Sequence, residues 1–206
     1  MVKKKYLGII FGLNQRRVLI KLVVFPVEEE HTRAFTKTLA KPLKPPDTIM
    51  EEIATMSIVI ENATERDLDT LHSIERECFA LETFSKGLVA FLLRSPRSTS
   101  LMAKINGEIV GFIIALTYQE GKYEVGHILT IDVALKARRK GVGRELLKEL
   151  ERRLREKGVE SCRLEVNVKN STARRLYRSW GYGETGFIKG YYHSGEDCVT
   201  MNKNFR

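Results

Sequence analysis

The sequence predicts one α/β domain, because segments with the two-residue period of a strand alternate with segments that have the period of a helix. The clearest strand lies at 162–168, where apolar and polar residues alternate. The clearest helix lies at 145–157, where leucines recur at helical spacing. A chain of 206 residues is long enough for one such domain with a full core.

The N-terminal part of the chain is expected to lie outside this domain. It combines an apolar start, an acidic triplet and the proline-punctuated stretch 41–46, which is typical of a linker. It carries no motif with an evident chemical role. We therefore assign residues 1–56 to an N-terminal extension or linker of unknown role, and residues 57–206 to the folded domain.

The domain is predicted to begin with a strand and a helix. The strand is Ile58–Glu61, and Thr64 with Asp67 then forms a capping box in which Asp replaces the usual Glu or Gln. The helix that follows has an apolar stripe, which indicates one buried face. The stripe consists of Leu68, Leu71, Ile74 and Cys78.

A hairpin and a central strand come next. Strands at 101–105 and 109–118 are joined by the dipeptide Asn106-Gly107, the strongest short hairpin signal. Gly121 is expected to turn the chain into a central strand at 124–135. The helix at 145–157 then follows, and it is expected to end near Gly158.

A basic glycine loop between the central strand and this helix predicts an anion site. Glycines 141 and 143 allow a tight turn with exposed N–H groups, and the helix adds its positive dipole end. The loop lacks the Lys-Ser/Thr ending of a P-loop and the third glycine of a dinucleotide-binding turn. An ordinary basic turn is the alternative. The residues expected to hold a pyrophosphate are Arg138, Arg139, Lys140, Gly141, Val142, Gly143 and Arg144.

The strand at 162–168 leads directly into a further predicted helix. Asn170 suits the N-cap, and Gly181 stands where a helix ends in left-handed geometry. Between them, apolar residues recur at helical spacing. These are Ala173, Leu176, Tyr177 and Trp180.

These motifs together resemble one enzyme family. The pattern Arg138-x-x-Gly141-x-Gly143 after a strand resembles the acyl-coenzyme A signature of the GNAT acetyltransferases. The block 164–182 is similar to the second half of their core in the RimI and Ard1 branch. The resemblance runs from about residue 57 to the C-terminus. It implies a GNAT fold, in which helices flank a mixed, mostly antiparallel twisted sheet with splayed central strands.

Two shorter segments resemble the protein N-terminal acetyltransferases of archaeal Ard1 and RimI type. They are Gly-His-Ile at 126–128 and the Tyr-Tyr to Glu-Asp segment at 191–197. The resemblance implies acetyl-CoA as cosubstrate and protein N-termini as acceptors, with ribosomal or nascent-chain proteins as candidate partners. Segment 79–84 departs from the family, which usually has a proline and an aromatic residue there. The residues expected to bind the acceptor are Phe79, Leu81, Glu82, Tyr191 and Tyr192.

Acetyl transfer to an amine needs a base and stabilisation of the departing thiolate. The resemblance implies Glu165 as general base; the alternative is a surface glutamate paired with Arg163 or Lys169. His127 is expected to share the task, since histidine relays protons near neutral pH, although a lone histidine is more often structural. Tyr177 matches the tyrosine that acts as general acid near the coenzyme sulfur, and core packing is its alternative role.

The resemblance also implies further contacts with the coenzyme. Asn170 matches a coenzyme-binding asparagine, although a pure helix cap has the same sequence. The backbone of Ile131, Asp132 and Val133 is expected to bind the pantetheine arm.

The acceptor is more readily an α-amine than a lysine. A peptide N-terminus has a pKa of about 7.7 to 8.0 and lysine about 10.4, so a neutral lysine costs roughly 3 to 4 kcal/mol more at pH 7. A buried pocket can reduce this cost, and a protein lysine acetyltransferase therefore stays an alternative. A non-catalytic acyl-CoA sensor and a nucleic-acid-binding module are alternatives of other classes.

Composition agrees with a cytoplasmic enzyme. The 35 basic and 26 acidic residues give a net charge of +9, but the basic residues are densest around the glycine loop, where coenzyme phosphates explain them without nucleic acid. Three cysteines without metal-ligand spacing predict reduced thiols and no metal. No apolar run approaches the roughly 20 residues of a membrane span, and no secretory cleavage site is present.

Overall fold

The computed structural model describes residues 57–79, 83–192 and 194–205. The predicted N-terminal extension at 1–56 lies outside the described residues, so its assignment stays a prediction. None of the described helices is long and apolar enough to cross a membrane.

One seven-stranded sheet forms the centre of the domain, with strand order β1-β2-β3-β4-β5-β7-β6. Neighbouring strands are antiparallel except for β4 and β5, which are parallel. The strands are β1 Ile58–Asn62, β2 Ser98–Ile105, β3 Glu108–Glu120, β4 Tyr123–Val133, β5 Ser161–Asn167, β6 Gly183–Ile188 and β7 Cys198–Asn204.

Four α-helices cover the two faces of the sheet. They are α1 Leu68–Cys78, α2 Lys86–Arg94, α3 Val142–Glu156 and α4 Ser171–Ser179. Short 3₁₀ turns at Glu65–Asp67 and Leu135–Ala137 precede α1 and follow β4. The predicted α/β class is confirmed, and so is the mixed, mostly antiparallel sheet.

Each face of the sheet has its own hydrophobic core. Helices α3 and α4 pack on one face, where the leucines of α3 lie fully buried. Helices α1 and α2 pack on the opposite face, against Phe112 and Ile114 of β3. Because the two cores sandwich β3 and β4, residues of the central strand reach both helix layers.

Local turn signals in the sequence are confirmed by the backbone. Asn106 and Gly107 adopt positive φ values of 52° and 79°, as a tight hairpin turn requires. The Asp67 carboxylate accepts the Thr64 N–H at 2.9 Å, which completes the predicted capping box. Gly181 has a φ of +91° immediately after α4, which ends the helix as predicted.

Several predicted boundaries were wrong, and β2 already begins at Ser98, three residues before its predicted start. Strand β4 ends at Val133 and not at residue 135, because Leu135 starts a 3₁₀ turn. Helix α3 begins at Val142, three residues before the predicted start at Glu145. Strand β5 ends at Asn167, because Val168 already lies in the turn that leads to α4.

The parallel pair β4 and β5 separates soon after it forms. Pairing covers only Val125 with Ser161, Gly126 with Cys162, and His127 with Arg163. Strand β4 continues for six residues beyond this point, to Val133, and β5 continues to Asn167. The two strands therefore enclose a V-shaped opening in the middle of the sheet, which confirms the predicted splay.

Alanine substitution of a glycine in β3 tests how tightly β3 packs against β4 and α3. A Cβ atom on Gly111 of β3 would lie 2.7 Å from the backbone oxygen of Asp132 and 3.2 Å from Val142. We expect Gly111→Ala to lower the free energy of unfolding by about 1 to 3 kcal/mol, since neither backbone nor core side chain can yield easily. Denaturant unfolding measures this change.

The matched control is Gly87→Ala in α2, where the added methyl group would meet no atom within 4 Å. Alanine favours a helix over glycine, so this variant should gain up to about 1 kcal/mol. Equal stability of the two variants would contradict the packing described for β3 and β4.

Candidate active site

The opening between β4 and β5 holds the titratable residues singled out in the sequence. His127 stands at the last paired position of β4, and Glu165 lies two residues beyond the last paired position of β5. Both side chains point to the face of the sheet that carries α1 and α2, because His127 pairs with Leu116, which packs on that core. The strand registers therefore bring two residues that are distant in sequence to one point.

His127 and Glu165 form a buried hydrogen-bonded pair. The distance between His127 Nε2 and Glu165 Oε2 is 2.8 Å, and the two residues are 4% and 8% exposed. The alternative that Glu165 pairs with Arg163 or Lys169 was wrong, since Arg163 lies 3.8 Å from Glu120 and Lys169 pairs with Glu196. A carboxylate that holds an imidazole in this way can orient the ring and take up a proton through it.

Sequence analysis missed Tyr118 as a neighbour of this pair. The Tyr118 ring lies edge-on to the His127 ring at 6.4 Å, and the Arg163 guanidinium lies 4.9 Å from the centre of the Tyr118 ring. Burial is the main cause that raises the pKa of Tyr118 above its usual range, so its hydroxyl stays protonated. The one signal in the sequence was the alternation of β3, which puts Tyr118 on the same face as His127 once the register is known.

Tyr177 of α4 is fully buried on the other side of the opening. Its hydroxyl has no hydrogen-bond partner among the described residues, and its ring packs edge-on against Tyr182 at 5.6 Å. Burial is the first cause that raises its pKa well above the usual value, followed by the charge of Asp132. Tyr177 therefore combines the predicted packing role with a protonated hydroxyl that is able to donate.

The basic glycine loop leads from the 3₁₀ turn into α3. Gly141 is the N-cap of this helix in left-handed conformation, with a φ of +85°. No side chain of the described residues caps the helix, so its first N–H groups are available to an anion. Arg139, Lys140 and Arg144 are exposed around them and give the helix start a positive field.

Three members of the loop differ from the prediction. Gly143 is not a turn residue, because it is the second residue of α3 and has no positive φ. The Val142 side chain is buried in the core, so only its backbone can face an anion. The Arg138 guanidinium is turned toward the protein, where it donates to the Val133 carbonyl at 3.1 Å and contacts Cys78 Sγ at 3.5 Å.

Asn170 caps α4 with its side-chain oxygen, and its side-chain nitrogen takes no part in the cap. The side-chain oxygen accepts the Ala173 N–H at 3.0 Å. The amide nitrogen Nδ2 is buried without a hydrogen-bond partner in the described part of the chain. Since a buried donor without a partner is unfavourable, this nitrogen marks a place where a ligand acceptor would fit.

The C-terminal half of β4 presents its backbone to the opening. Ile131, Asp132 and Val133 pair with β3 on one side, whereas β5 has already separated on the other. Backbone groups on that open side are available to a ligand. The Asp132 side chain points away from the α3 core toward α1, where it meets Glu75.

The residues expected to bind an acceptor are only partly described. Tyr191 and Tyr192 pack edge-on at 5.1 Å and are 8% and 6% exposed. The turn that carries them is tied to the end of β5, because Glu196 accepts from Asn167 Nδ2 at 2.6 Å and from Lys169 Nζ at 2.9 Å. Phe79 lies directly after α1. Leu81 and Glu82 lie outside the described residues.

The cysteines in the described part of the chain do not form a metal centre with the acidic residues there. Cys78, Cys162 and Cys198 are free thiols, as predicted, and burial is the main cause that raises the pKa of Cys78 to about 12. Among residues 57–79, 83–192 and 194–205, no group of three or more His, Cys, Asp or Glu side chains is placed to hold a metal ion.

Comparison with known proteins agrees with this architecture. Residues 68–182 match the model of the acetyltransferase (GNAT) family. An uncharacterised N-acetyltransferase of Methanocaldococcus jannaschii is 32% identical, over 71% of this chain and 91% of that protein. An N-alpha-acetyltransferase of Sulfurisphaera tokodaii is 30% identical, over 69% of this chain and 90% of that protein.

A solved structure of similar fold is the ribosomal-protein-S18-alanine N-acetyltransferase from Escherichia coli, with a TM-score of 0.63 and 27% identity. The match covers 72% of this chain and 94% of that one. The family model spans the parted strands, the glycine loop and Tyr177 alike. The chain therefore belongs to the acetyltransferase (GNAT) family and is an acetyl-CoA-dependent N-acetyltransferase.

Proposed function

We propose that this protein acetylates the α-amino group at the N-terminus of proteins, with acetyl-CoA as the acetyl donor. The observation that carries the proposal is the buried His127–Glu165 pair at the mouth of the opening between β4 and β5. The names of the S. tokodaii relative and of the E. coli S18-alanine enzyme support an α-amine acceptor. Ribosomal and nascent-chain proteins are the candidate substrates.

The coenzyme is proposed to bind on the α3 and α4 side of the opening. The N–H groups at the start of α3, with Arg139, Lys140 and Arg144 around them, would bind the pyrophosphate. The backbone of Ile131 to Val133 would hold the pantetheine arm, and Asn170 Nδ2 is a further donor. Among the buried donors without hydrogen-bond partners in the described residues, Asn170 Nδ2 and Tyr177 Oη fit a ligand with several acceptor atoms.

The acid-base roles follow from the positions of the side chains. Acetyl-CoA supplies an acetyl thioester, and the amine nitrogen forms the new bond to the acetyl carbon while the bond from carbon to sulfur breaks. Glu165, with His127, takes the proton that the amine gives up. Tyr177, whose hydroxyl stays protonated because burial raises its pKa, donates its proton to the departing sulfur.

The acceptor is assigned to the opposite side of the opening. Phe79 directly follows α1, and Tyr191 and Tyr192 pack with Cys198, which pairs with Asn167 at the end of β5. Leu81 and Glu82 stay sequence-based candidates for the same site. An α-amine suits a single buried carboxylate and imidazole, because much of it is already neutral near pH 8.

The base is tested by Glu165→Gln, which keeps the shape of the side chain but removes its charge. We expect turnover near neutral pH to fall by on the order of 10² or more, with acetyl-CoA affinity retained. Steady-state kinetics and calorimetry measure the two quantities. Glu61→Gln on the exposed strand β1 is the control and should behave as wild type. Near-normal turnover of Glu165→Gln would remove Glu165 from the role, and His127→Phe would then be the variant to compare.

The coenzyme site is tested at Gly143. A Cβ atom there would lie 3.7 to 3.9 Å from Leu176, Ile131 and Val133, which is ordinary contact, so the protein should fold with a larger residue. We expect Gly143→Val to weaken acetyl-CoA binding on the order of tenfold or more, because the side chain would fill space beside the proposed pantetheine-binding strand. Calorimetry reports the affinity.

Gly87→Val is the matched control, since Gly87 is also the second residue of its helix but lies far from the glycine loop in the fold. It should leave acetyl-CoA affinity unchanged. A folded Gly143→Val protein with wild-type affinity would show that the coenzyme does not approach the start of α3.

The substrate class is tested with a short peptide that carries a free α-amine and several lysines. We expect acetylation at the α-amine, so that blocking the N-terminus abolishes turnover; mass spectrometry locates the acetyl group. Tyr192→Phe should raise the peptide KM roughly two- to tenfold with little change in coenzyme binding, since it removes one hydroxyl. If the blocked peptide reacts as fast as the free one, the protein is a lysine acetyltransferase.

A further inference from the structure

Two buried carboxyl groups meet beneath the central strand. Glu75 of α1 and Asp132 of β4 are both 0% exposed, and their side chains hydrogen-bond to each other. Asp132 Oδ2 also accepts from Thr130 Oγ1 at 2.7 Å. A hydrogen bond between two carboxyl groups needs a proton on at least one of them, so the pair holds at least one proton.

The surroundings favour this protonated state. Burial is the first cause that raises the pKa of Asp132 well above its usual value, and the charge of Glu75 is the second. The neighbouring Cys78 is a neutral thiol, and the Arg138 guanidinium donates to the Val133 carbonyl and to Cys78. The pair is therefore held together by its shared proton and not by a salt bridge.

Glu75 also fixes the connection between α1 and α2. Its Oε1 accepts the Phe84 N–H at 2.9 Å, and its backbone oxygen accepts the Phe79 N–H at 2.8 Å. The Thr83 hydroxyl donates to the Phe79 carbonyl. One residue thus binds both ends of the segment that follows α1, and Phe79 belongs to the proposed acceptor site.

Asp132 links this contact with Glu75 to strand β4. It lies on β4 between Ile131 and Val133, the residues proposed to hold the pantetheine arm. The proton shared with Glu75 therefore connects the acceptor side of the cleft directly to the coenzyme-binding strand.

We propose that Glu75 and Asp132 are positioning residues that hold Phe79 and Phe84, the described ends of the α1–α2 connection, in register with β4, and so set where the acceptor stands relative to the acetyl group. This inference rests on the proposed function, because it takes Phe79 as part of the acceptor site. Neither carboxyl group touches the reacting atoms in this assignment. Loss of the Glu75 carboxyl group should therefore weaken acceptor binding and leave coenzyme binding intact.

Three substitutions at Glu75 test the proposal. Glu75→Gln keeps an oxygen for the Phe84 N–H and replaces the shared proton with an amide N–H toward Asp132, so the acceptor KM should stay within about threefold of wild type. Glu75→Leu removes both bonds, and the acceptor KM should rise about tenfold or more. Glu75→Asp keeps a carboxyl group but shortens the side chain by one methylene, so we expect an intermediate rise in the acceptor KM. In all three, the acetyl-CoA Kd should stay within about twofold.

Glu77→Leu is the control on the same helix. The Glu77 carboxylate accepts the Leu135 N–H at 2.6 Å, so it also ties α1 to a neighbouring backbone, but on the side away from Phe84. Its acceptor KM should equal that of wild type. The acceptor in every assay is the peptide that the wild-type protein acetylates, whether at an α-amine or at a lysine. The test of Glu75 therefore stays valid even if the proposed α-amine specificity is wrong.

The proposal is overturned if folded Glu75→Leu has a wild-type acceptor KM, or if it loses coenzyme and acceptor affinity equally. It is also overturned if Glu75→Gln is as impaired as Glu75→Leu, because the conservative variant preserves both contacts. Should Glu75→Leu fail to fold, Glu75→Asp decides: a wild-type acceptor KM in that variant contradicts the positioning role.

Discussion

The separation of β4 from β5 after His127 and Arg163 is the constraint on which the rest of the molecule depends. A parallel pair normally uses its backbone groups to bind the neighbouring strand. Here the pairing stops, and the backbone of β4 faces an opening in which these groups must find other partners. Tyr177 packs in the core beneath α3 and α4, whereas His127 pairs with Glu165 on the opposite face, so the proposed mechanism uses residues from both faces of the sheet.

Burial keeps several groups near the opening uncharged. Tyr177 and Cys78 stay protonated because burial disfavours their charged forms, and Glu75 with Asp132 keeps at least one proton for the same reason. The positive charges of the glycine loop lie at the surface. This division suits a reaction between a neutral amine and a neutral thioester, with the anionic part of the donor held outside the reactive centre.

Much of the fold could be predicted from local sequence, and the site only in part. The hairpin turn at Asn106 and the cap at Asn170 were predictable, because each depends on a few adjacent residues. The contact between His127 and Glu165 was not, since it depends on the register of two strands. Gly143 was wrongly predicted to be a turn residue. A glycine two residues after Gly141 can lie either in a loop or in the first turn of a helix, and the sequence does not distinguish the two. Glu75 escaped notice because a charged residue in an amphipathic helix looks exposed until the tertiary partner is known.

Val142 joins the glycine loop to the hydrophobic core, since it opens α3 and also packs against Gly111 of β3. An anion held by the first N–H groups of this helix therefore acts on the same turn that seals the core. Ligand binding and global unfolding are therefore linked. A ligand that binds only the folded state, at a hundred times its Kd, raises the free energy of unfolding by about 2.7 kcal/mol. The resistance of this domain to heat is thus a property of the cell's coenzyme concentration as well as of its amino-acid sequence.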